Sequence, residues 1–352
     1  MSGGVDSSVA AYLTQQAGYH CVGAMLRLYD NEILPDKDSG TCCSLDDAED
    51  ARSIARRLGF PFHVFNAKAE FADKVIANFI HCYECGATPN PCIECNRHLK
   101  FQHLLRKATE LGCDYIVTGH YARIRQDADT GRYLLYRAAD LSKDQSYVLA
   151  CLTQEQLSHT LLPLGEMSKA EARTIAETQG FINARKHDSQ DICFVPDGDY
   201  VAFMERYTGK RYTQGDFLDL QGNVVGRHKG AVAYTLGQRK GLGLAMGAPV
   251  YVCAKDMAAN TVTVGPNDAL FSTTLTADNW NWFPFPELTA PIHVSAKARY
   301  NQPPQPATVY PEGSGRARVV FDQPQRALTP GQAVVLYDGD MVVGGGTIQH
   351  ID

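Results

Sequence analysis

The chain has 352 residues, 44% of them hydrophobic and 20% charged, with a formal net charge of −6 at pH 7. That length supports two or three domains with separate cores. No apolar run approaches the ~18–20 residues of a membrane-spanning helix, and no charged-then-apolar signal segment opens the chain, which argues against a secreted disulfide scaffold. The eleven cysteines, an odd number, instead argue for reduced thiols in a cytoplasm, free for catalysis or metal.

The first predicted element is a turn running into a helix, Ser2-Gly3-Gly4-Val5-Asp6-Ser7-Ser8 and then Val9 to Leu13. Adjacent glycines let the backbone turn sharply and approach a ligand, and Asp6, Ser7 and Ser8 are suited to a helix start. Such a turn presents unpaired N–H groups and a positive dipole end, which suits phosphate. The Gly-Lys-Ser/Thr ending of kinase and GTPase loops does not occur. A plain N-terminal turn and cap is the alternative. A phosphate loop of this kind ordinarily follows a buried strand, yet only Met1 precedes it. The expectation is therefore a start lying upstream or a sheet without its first strand.

Residues 1 to about 140 alternate short apolar runs with helical patterns, the signature of a parallel α/β sheet. Strands are predicted at 21–28, 61–66 and 114–118, and helices at 44–59, 71–82 and 97–111, the last capped by Asn96. The strand at 114–118 ends in Gly119-His120-Tyr121-Ala122-Arg123. Ligands sit beyond the carboxyl ends of parallel strands, so that turn faces the bound group. Residues 140–190 read as mostly helical, with a Ser168…Glu171 capping box. From about 200 the texture becomes short strands and Gly-rich turns, including a hairpin of 217–220 with 224–226. From Thr274 onward the pattern is all-β and reads as a small barrel, with Trp280 and Trp282 packing on one strand face. The three domains expected are 1–195, 200–268 and 272–352.

Cys82-Tyr83-Glu84-Cys85 and Cys92-Ile93-Glu94-Cys95 form two C-x-x-C pairs only six residues apart. Four thiolates so spaced suit zinc or an iron–sulfur cluster. A nucleophilic thiolate is the other reading. Cys95, before Asn96 and the helix predicted from Arg97, with Lys100 a turn on, has the electropositive setting that lowers a thiol pKa. Cys193, next to Phe194, is isolated, and such a cysteine is ordinarily a buried apolar residue. Basic residues cluster at Arg97/His98/Lys100, Arg185/Lys186/His187, Arg227/His228/Lys229 and Arg239/Lys240. Each alone is an ordinary solvated face; together they form a candidate phosphate track.

Several blocks resemble the tRNA-specific 2-thiouridylase family, of the pyrophosphatase-loop ATP enzymes. They are Ser2 to Ser8, Thr88-Pro89-Asn90-Pro91 with Cys95-Asn96, Thr118 to Arg123, Lys143-Asp144-Gln145-Ser146-Tyr147 and Asp188 to Phe194. Tyr234 to Gly243 and Thr329-Pro330-Gly331-Gln332 extend the resemblance over nearly the whole chain, in family order. It implies an α/β class: an N-terminal Rossmann-like parallel-sheet domain, a small central mainly-β domain and a C-terminal β-barrel. It also implies ATP with Mg²⁺, bound by Met1, Ser2, Gly3, Gly4, Val5, Asp6, Ser7, Leu26 and Gly119. The reaction implied is adenylation of the C2 oxygen of the wobble uridine in tRNAs for Lys, Glu and Gln, followed by sulfur transfer. By the same resemblance Cys193 carries a persulfide received from a cysteine desulfurase or relay protein, and Cys95 attacks it. Asn90, Pro91 and Cys92 would meet the target base, while His120, Lys143, Asp144, Gln145, Arg299, Tyr300 and Gln332 would contact the tRNA. Many family members carry Asp at the position of Cys92, and a thiol cannot do the same acid–base work. Cys92, Cys95 and Cys193 as three ligands of a [4Fe–4S] cluster is therefore the alternative sulfur route. An ATP-dependent amide or C–N ligase and a zinc-stabilised RNA-binding module are the competing readings.

Overall fold

The computed structural model describes residues 1–29, 45–186 and 192–351. Helix α1 (Val5–Gln16) begins directly after Gly4, whose extended backbone lets the chain enter the helix at Val5. Strand β1 (Gly23–Arg27) pairs in parallel with β2 (Phe62–Asn66), and helix α2 (Leu45–Leu58) lies on the intervening crossover. Acidic residues in its first turn and Arg56 and Arg57 in its last complement the helix dipole. Next comes a long helix α3, built of contiguous segments Lys68–Phe71, Ala72–Ile76 and Ala77–Glu84, and then α4, built of Pro91–Glu94, Cys95–His103 and Leu104–Glu110. The middle segment of each is wound more widely, with i→i+5 hydrogen bonds, a form often found at functional sites. Strand β3 (Ile116–Val117) pairs in parallel with β6 (Thr160–Leu161). Among the described residues no ladder joins β1 to β3, and the Met1 amino group donates to the Ala24 carbonyl at that place.

Three elements depart from the sequence expectation. Helix α4 starts at Pro91 rather than Arg97, and its cap is Asn90, whose side chain accepts from the Cys92 N–H. Asn96 is buried inside the helix and donates to the Val148 carbonyl at 3.0 Å. The described residues of 140–186 hold three short helices, α5 (Ser146–Leu149), α6 (Gln154–Ser158) and α7 (Lys169–Thr178), with β6 between the last two, and α7 starts at the expected Ser168/Glu171 capping box. A hairpin of β4 (Arg123–Gln126) and β5 (Tyr133–Tyr136) was not foreseen; it reaches the barrel through Tyr136 opposite Met341.

Helix α8 (Tyr200–Thr208) leads into the central unit, a four-stranded sheet ordered β8-β7-β10-β9. The expected hairpin is β7 (Gly215–Leu218) against β8 (Val224–His228), completed by β9 (Tyr251–Asp256) and β10 (Thr261–Gly265). The last unit is a closed barrel. Its strands are β11 (Phe271–Trp282), β12 (Ile292–Lys297), β13 (Gln305–Gly313), β14 (Arg316–Arg326), β15 (Ala333–Asp338) and β16 (Met341–Ile351), and closure follows because β11 pairs with both β14 and β16. Trp280 and Trp282 stack at 4.7 Å over Gly346 and Gly344, where a Cβ would come within 2.7 Å of either indole. The barrel is tied to the first unit by Arg132, which donates to the Phe283 and Trp282 carbonyls, and by Asn281, which donates to those of Ala150 and Leu152.

Candidate active site

The opening turn is held from three sides. Gly3 has φ +72°, and a Cβ there would fall 2.5 Å from the Asp47 carbonyl oxygen at the start of α2. Gly119 packs on the far side, where a Cβ would lie 2.6 Å from the Asp6 carbonyl carbon and 2.7 Å from the Ser7 nitrogen. Within the turn, the Ser2 N–H donates to Ser7 Oγ at 3.1 Å, and the Ser7 and Ser8 hydroxyls both donate to the Gly4 carbonyl at 3.0 Å. Buried Asn183 donates to the Gly3 carbonyl at 2.8 Å and to Ser8 Oγ at 3.0 Å. Asp6, in the first turn of α1, accepts from the Tyr121 hydroxyl at 2.8 Å and from Lys169 Nζ at 2.7 and 2.8 Å. Val5 is buried beneath the turn, and Leu26 sits half-buried on β1. The loop is thus a rigid, glycine-lined cradle at a helix N-terminus, suited to an anion.

Lys169, Tyr121 and Asn183 were not singled out as site residues from the sequence. They lie 163, 115 and 180 residues from their partners in the loop. Only the strand ending at Gly119, which delivers Tyr121, carried a local signal.

The cysteines divide into two groups. Cys92 is exposed in the first turn of α4, whereas Cys95 lies one turn further in and is 8% exposed. The helix N-terminus that was expected to activate Cys95 therefore lies at Cys92 instead. Cys95 and Cys193 belong to one apolar cluster with Leu26, Phe79, Leu99 and Phe194, and the Tyr29 hydroxyl donates to the Cys193 carbonyl at 3.0 Å. Cys193 is the more accessible of the two. Cys82 and Cys85 face a separate cavity of ~360 Å³ between α3, the start of α4 and the barrel, with Cys85 Sγ 3.7 Å from the His81 ring. Among the described residues no three His, Cys, Asp or Glu side chains converge as a metal site. Neither the zinc set Cys82/Cys85/Cys92/Cys95 nor the cluster set Cys92/Cys95/Cys193 is assembled in this arrangement.

The residues expected to meet tRNA are placed unevenly. Tyr300 is 40% exposed, and its phenol pKa is raised by burial and by the nearby Asp144 and Cys92. Lys297 Nζ lies 5.4 Å from its ring centroid and 5.7 Å from that of Tyr147, a cation–π arrangement that steadies the exposed ring. Lys143 is half-exposed. Gln332 donates to the Thr88 and Pro89 carbonyls at 2.9 and 3.2 Å, which pins the loop carrying Asn90 and Pro91. Gln145 accepts from the Tyr121 N–H at 2.9 Å. Asp144 is buried and accepts from the N–H groups of Ala138 and Ser146 and from the Ser146 hydroxyl. Arg299 donates to the Leu236 and Ala327 carbonyls and to Thr329 Oγ1. These last residues shape the surface from within. Of the basic clusters, Arg185, Lys229, Arg239 and Lys240 are exposed, while Arg97 pairs with Glu94, Lys186 with Asp47 and Asp50, and Arg227 with Asp216. His187 and residues 188–191 lie outside the described residues.

His120 faces inward, with Thr118 Oγ1 2.8 Å from its Nδ1 and Phe101 against its ring. Burial, with a smaller contribution from Lys100, pushes its pKa from 6.5 down to about 3. The unfolded chain therefore binds a proton below pH 6.5 that the folded one refuses. Stability is full above that pH and falls as pH drops toward 3. Urea unfolding at pH 7.5 and 5.5 is expected to register a loss of about 1.4 kcal/mol from this group, and His120→Gln to remove that part of the pH dependence.

Comparison with known proteins accounts for all three units. The family model described as "tRNA methyl transferase HUP domain" matches residues 1–197, "tRNA methyl transferase PRC-barrel domain" matches 201–266, and "Aminomethyltransferase beta-barrel domain" matches 272–348. The tRNA-specific 2-thiouridylase MnmA of Clostridioides difficile (strain 630) is 48% identical over 349 residues, covering 99% of this chain and 96% of that relative. The protein of the same name from Moorella thermoacetica is 50% identical over 351 residues, covering 100% and 98%. That of Heliobacterium modesticaldum is 51% identical over 350 residues, covering 99% and 91%. A solved NMN synthetase from Francisella tularensis overlaps with a TM-score of 0.32 and 13% identity, over 60% of this chain and 76% of that one, too slight a likeness to carry an argument. Near-complete coverage in both directions at about half identity leads to one conclusion: the chain belongs to the tRNA-specific 2-thiouridylase family.

Proposed function

We propose that this chain is a tRNA uridine 2-sulfurtransferase. It splits ATP into AMP and pyrophosphate to activate the C2 oxygen of the wobble uridine, in tRNAs for Lys, Glu and Gln, and then replaces that oxygen with sulfur. A uracil carbonyl oxygen is a poor leaving group, and adenylation makes it a good one. The observation that carries this reading is the rigid Ser2–Ser8 cradle, closed by Gly119 and Asp6, beside an apolar cluster that Leu26 shares with Cys95 and Cys193. Residues 1–195 would do the chemistry, while 200–268 and 272–352 would grip the tRNA and present the flipped base.

The loop N–H groups would cradle the phosphates, and Leu26 and Gly119 would back the nucleotide. Asp6 and Ser7 are hard oxygen donors at the loop, so they suit Mg²⁺, which would neutralise phosphate charge there. Cys193, the more accessible of the two thiols, would take the terminal sulfur of a donor persulfide, from a cysteine desulfurase or relay protein, releasing the donor's thiol. Cys95 thiolate then attacks the inner sulfur of Cys193. Hydrosulfide leaves and displaces AMP from C2, and the Cys95–Cys193 disulfide left behind is returned to two thiols by a dithiol reductant. Tyr300, exposed near Cys92, is suited to stack a base, and Asn90 and Pro91 shape the entry. Cys92, Cys95 and Cys193 do not converge as a ligand set among the described residues, so a [4Fe–4S] cluster does not fit them. The site would operate in the cytoplasm.

The test supplies purified protein with tRNA, Mg²⁺–ATP, a persulfide donor and a dithiol. Formation of 2-thiouridine together with stoichiometric AMP and pyrophosphate is expected. AMP formation driven by an amine, with no sulfur incorporated, would instead establish a C–N ligase.

A further inference from the structure

The Asp6 carboxylate is already engaged by a cation of the chain itself. Both its oxygens accept from Lys169 Nζ, at 2.7 and 2.8 Å, and Oδ1 also accepts from the Tyr121 hydroxyl at 2.8 Å. The lysine side chain is only 11% exposed and that of Asp6 31%. A partly sheltered pair of this kind is held more firmly than a surface pair. A divalent cation joining Asp6 while an ammonium stays within 3 Å of both oxygens would meet that ammonium's repulsion across a poorly screened gap. Either the metal binds elsewhere or the ammonium leaves.

The backbone around Lys169 is anchored. Lys169 is the first residue of α7, set by the Ser168/Glu171 capping box, and its N–H donates to Asp140 Oδ2 at 3.3 Å. Only the flexible four-carbon stem can shift. It lies beside the Tyr121 ring, 6.0 Å from centroid to Nζ, and ends next to the helix N-terminus where phosphates are expected to sit.

We propose that Lys169 is the exchangeable counter-ion of the nucleotide loop. In the nucleotide-free protein it neutralises Asp6 and keeps the loop from collapsing on an uncompensated charge. When Mg²⁺–ATP enters, the ammonium moves to the pyrophosphate portion of the nucleotide and leaves Asp6 to the metal. The inference rests on the reading of Ser2–Ser8 as an ATP pyrophosphatase loop and assigns that loop a moving part.

Exchange predicts effects of opposite sign, which a merely structural lysine would not produce. In Lys169→Met the uncompensated Asp6 should bind Mn²⁺ alone, read by electron paramagnetic resonance, about tenfold more tightly than the unaltered protein. The same variant should bind Mg²⁺–ATP and Mg²⁺–pyrophosphate at least about thirtyfold more weakly, while AMP binding changes less than about threefold. Lys169→Arg, which keeps the charge, should restore part of the pyrophosphate affinity. Circular dichroism melts of both variants establish folding, and should Lys169→Met fail to fold, Lys169→Gln, which also removes the charge and keeps Asp6, carries the same comparison. Equal weakening of Mn²⁺, AMP and pyrophosphate binding would overturn the inference, as would unchanged pyrophosphate binding. Failure of the unaltered protein to bind Mg²⁺–ATP would overturn the loop assignment itself, a result distinguishable from either.

Discussion

Replacing Cys193 with serine is expected to lower 2-thiouridine formation at least about a thousandfold while leaving adenylation of the tRNA within about threefold. The separation follows from where the parts lie. The phosphate cradle is built from Gly3, Gly119, Asp6 and Asn183, none of which depends on a thiol. Cys193 sits in the neighbouring apolar cluster, more open to solvent than Cys95. That difference supports the proposed order, in which the more accessible thiol would meet the donor and the buried one would resolve the persulfide, where hydrosulfide is kept from bulk water. Cys95→Ser should lose thiolation to the same extent yet still allow Cys193 to gain one sulfur atom from the donor, visible by mass spectrometry of the intact chain. If Cys95→Ser blocked loading of Cys193, or if Cys193→Ser kept normal thiolation, the order of the relay would be wrong.

The sequence made the opening turn legible because its requirements are local. A glycine at φ +72° under a helix start, and a glycine after a strand, are demands that a short string can state. The Ser168/Glu171 box was equally readable, since both partners lie within one helical turn. The start of α4 was misread because Asn90 and Asn96 are both competent caps. Pro91, which favours the first helical position, was the signal that should have decided between them. Lys169 and Asn183 stayed invisible for another reason: their roles exist only once α7 and the following turn are folded against α1. The residues that the resemblance assigns to tRNA differ in their surroundings in the same way. Tyr300 presents its ring to solvent, whereas Asp144, Gln145 and Gln332 spend their polar atoms on backbone groups, and that fixes the surface rather than extending it. The barrel closure was predictable from alternation, but the Arg123–Tyr136 hairpin that tethers it was not. Its ladder with β16 is a single residue pair between segments some 200 residues apart.

Gly119→Ala should abolish ATP binding at concentrations about a hundredfold above those that saturate the unaltered protein, with a loss of only about 1–3 kcal/mol in unfolding free energy. The added methyl would meet backbone, at 2.6 Å from the Asp6 carbonyl carbon and 2.7 Å from the Ser7 nitrogen, so no side-chain rotation can relieve it. Relief must come from moving the first turn of α1 away from the strand end. That displacement carries the Ser7 N–H, and with it the helix N-terminus, out of register with a bound phosphate. It also drags Asp6 from Tyr121 and Lys169, whose own positions are fixed by β3 and by the capping box of α7. The fold itself survives because α1 keeps its apolar face: Val5, Val9 and Ala10 pack with Ile54, Leu164 and Ala172. Calorimetric titration with Mg²⁺–ATP and urea unfolding of the same sample separate the two effects. Retained ATP affinity with a large loss of stability would mean that the turn can slide without harming the site, and that Gly119 serves packing alone.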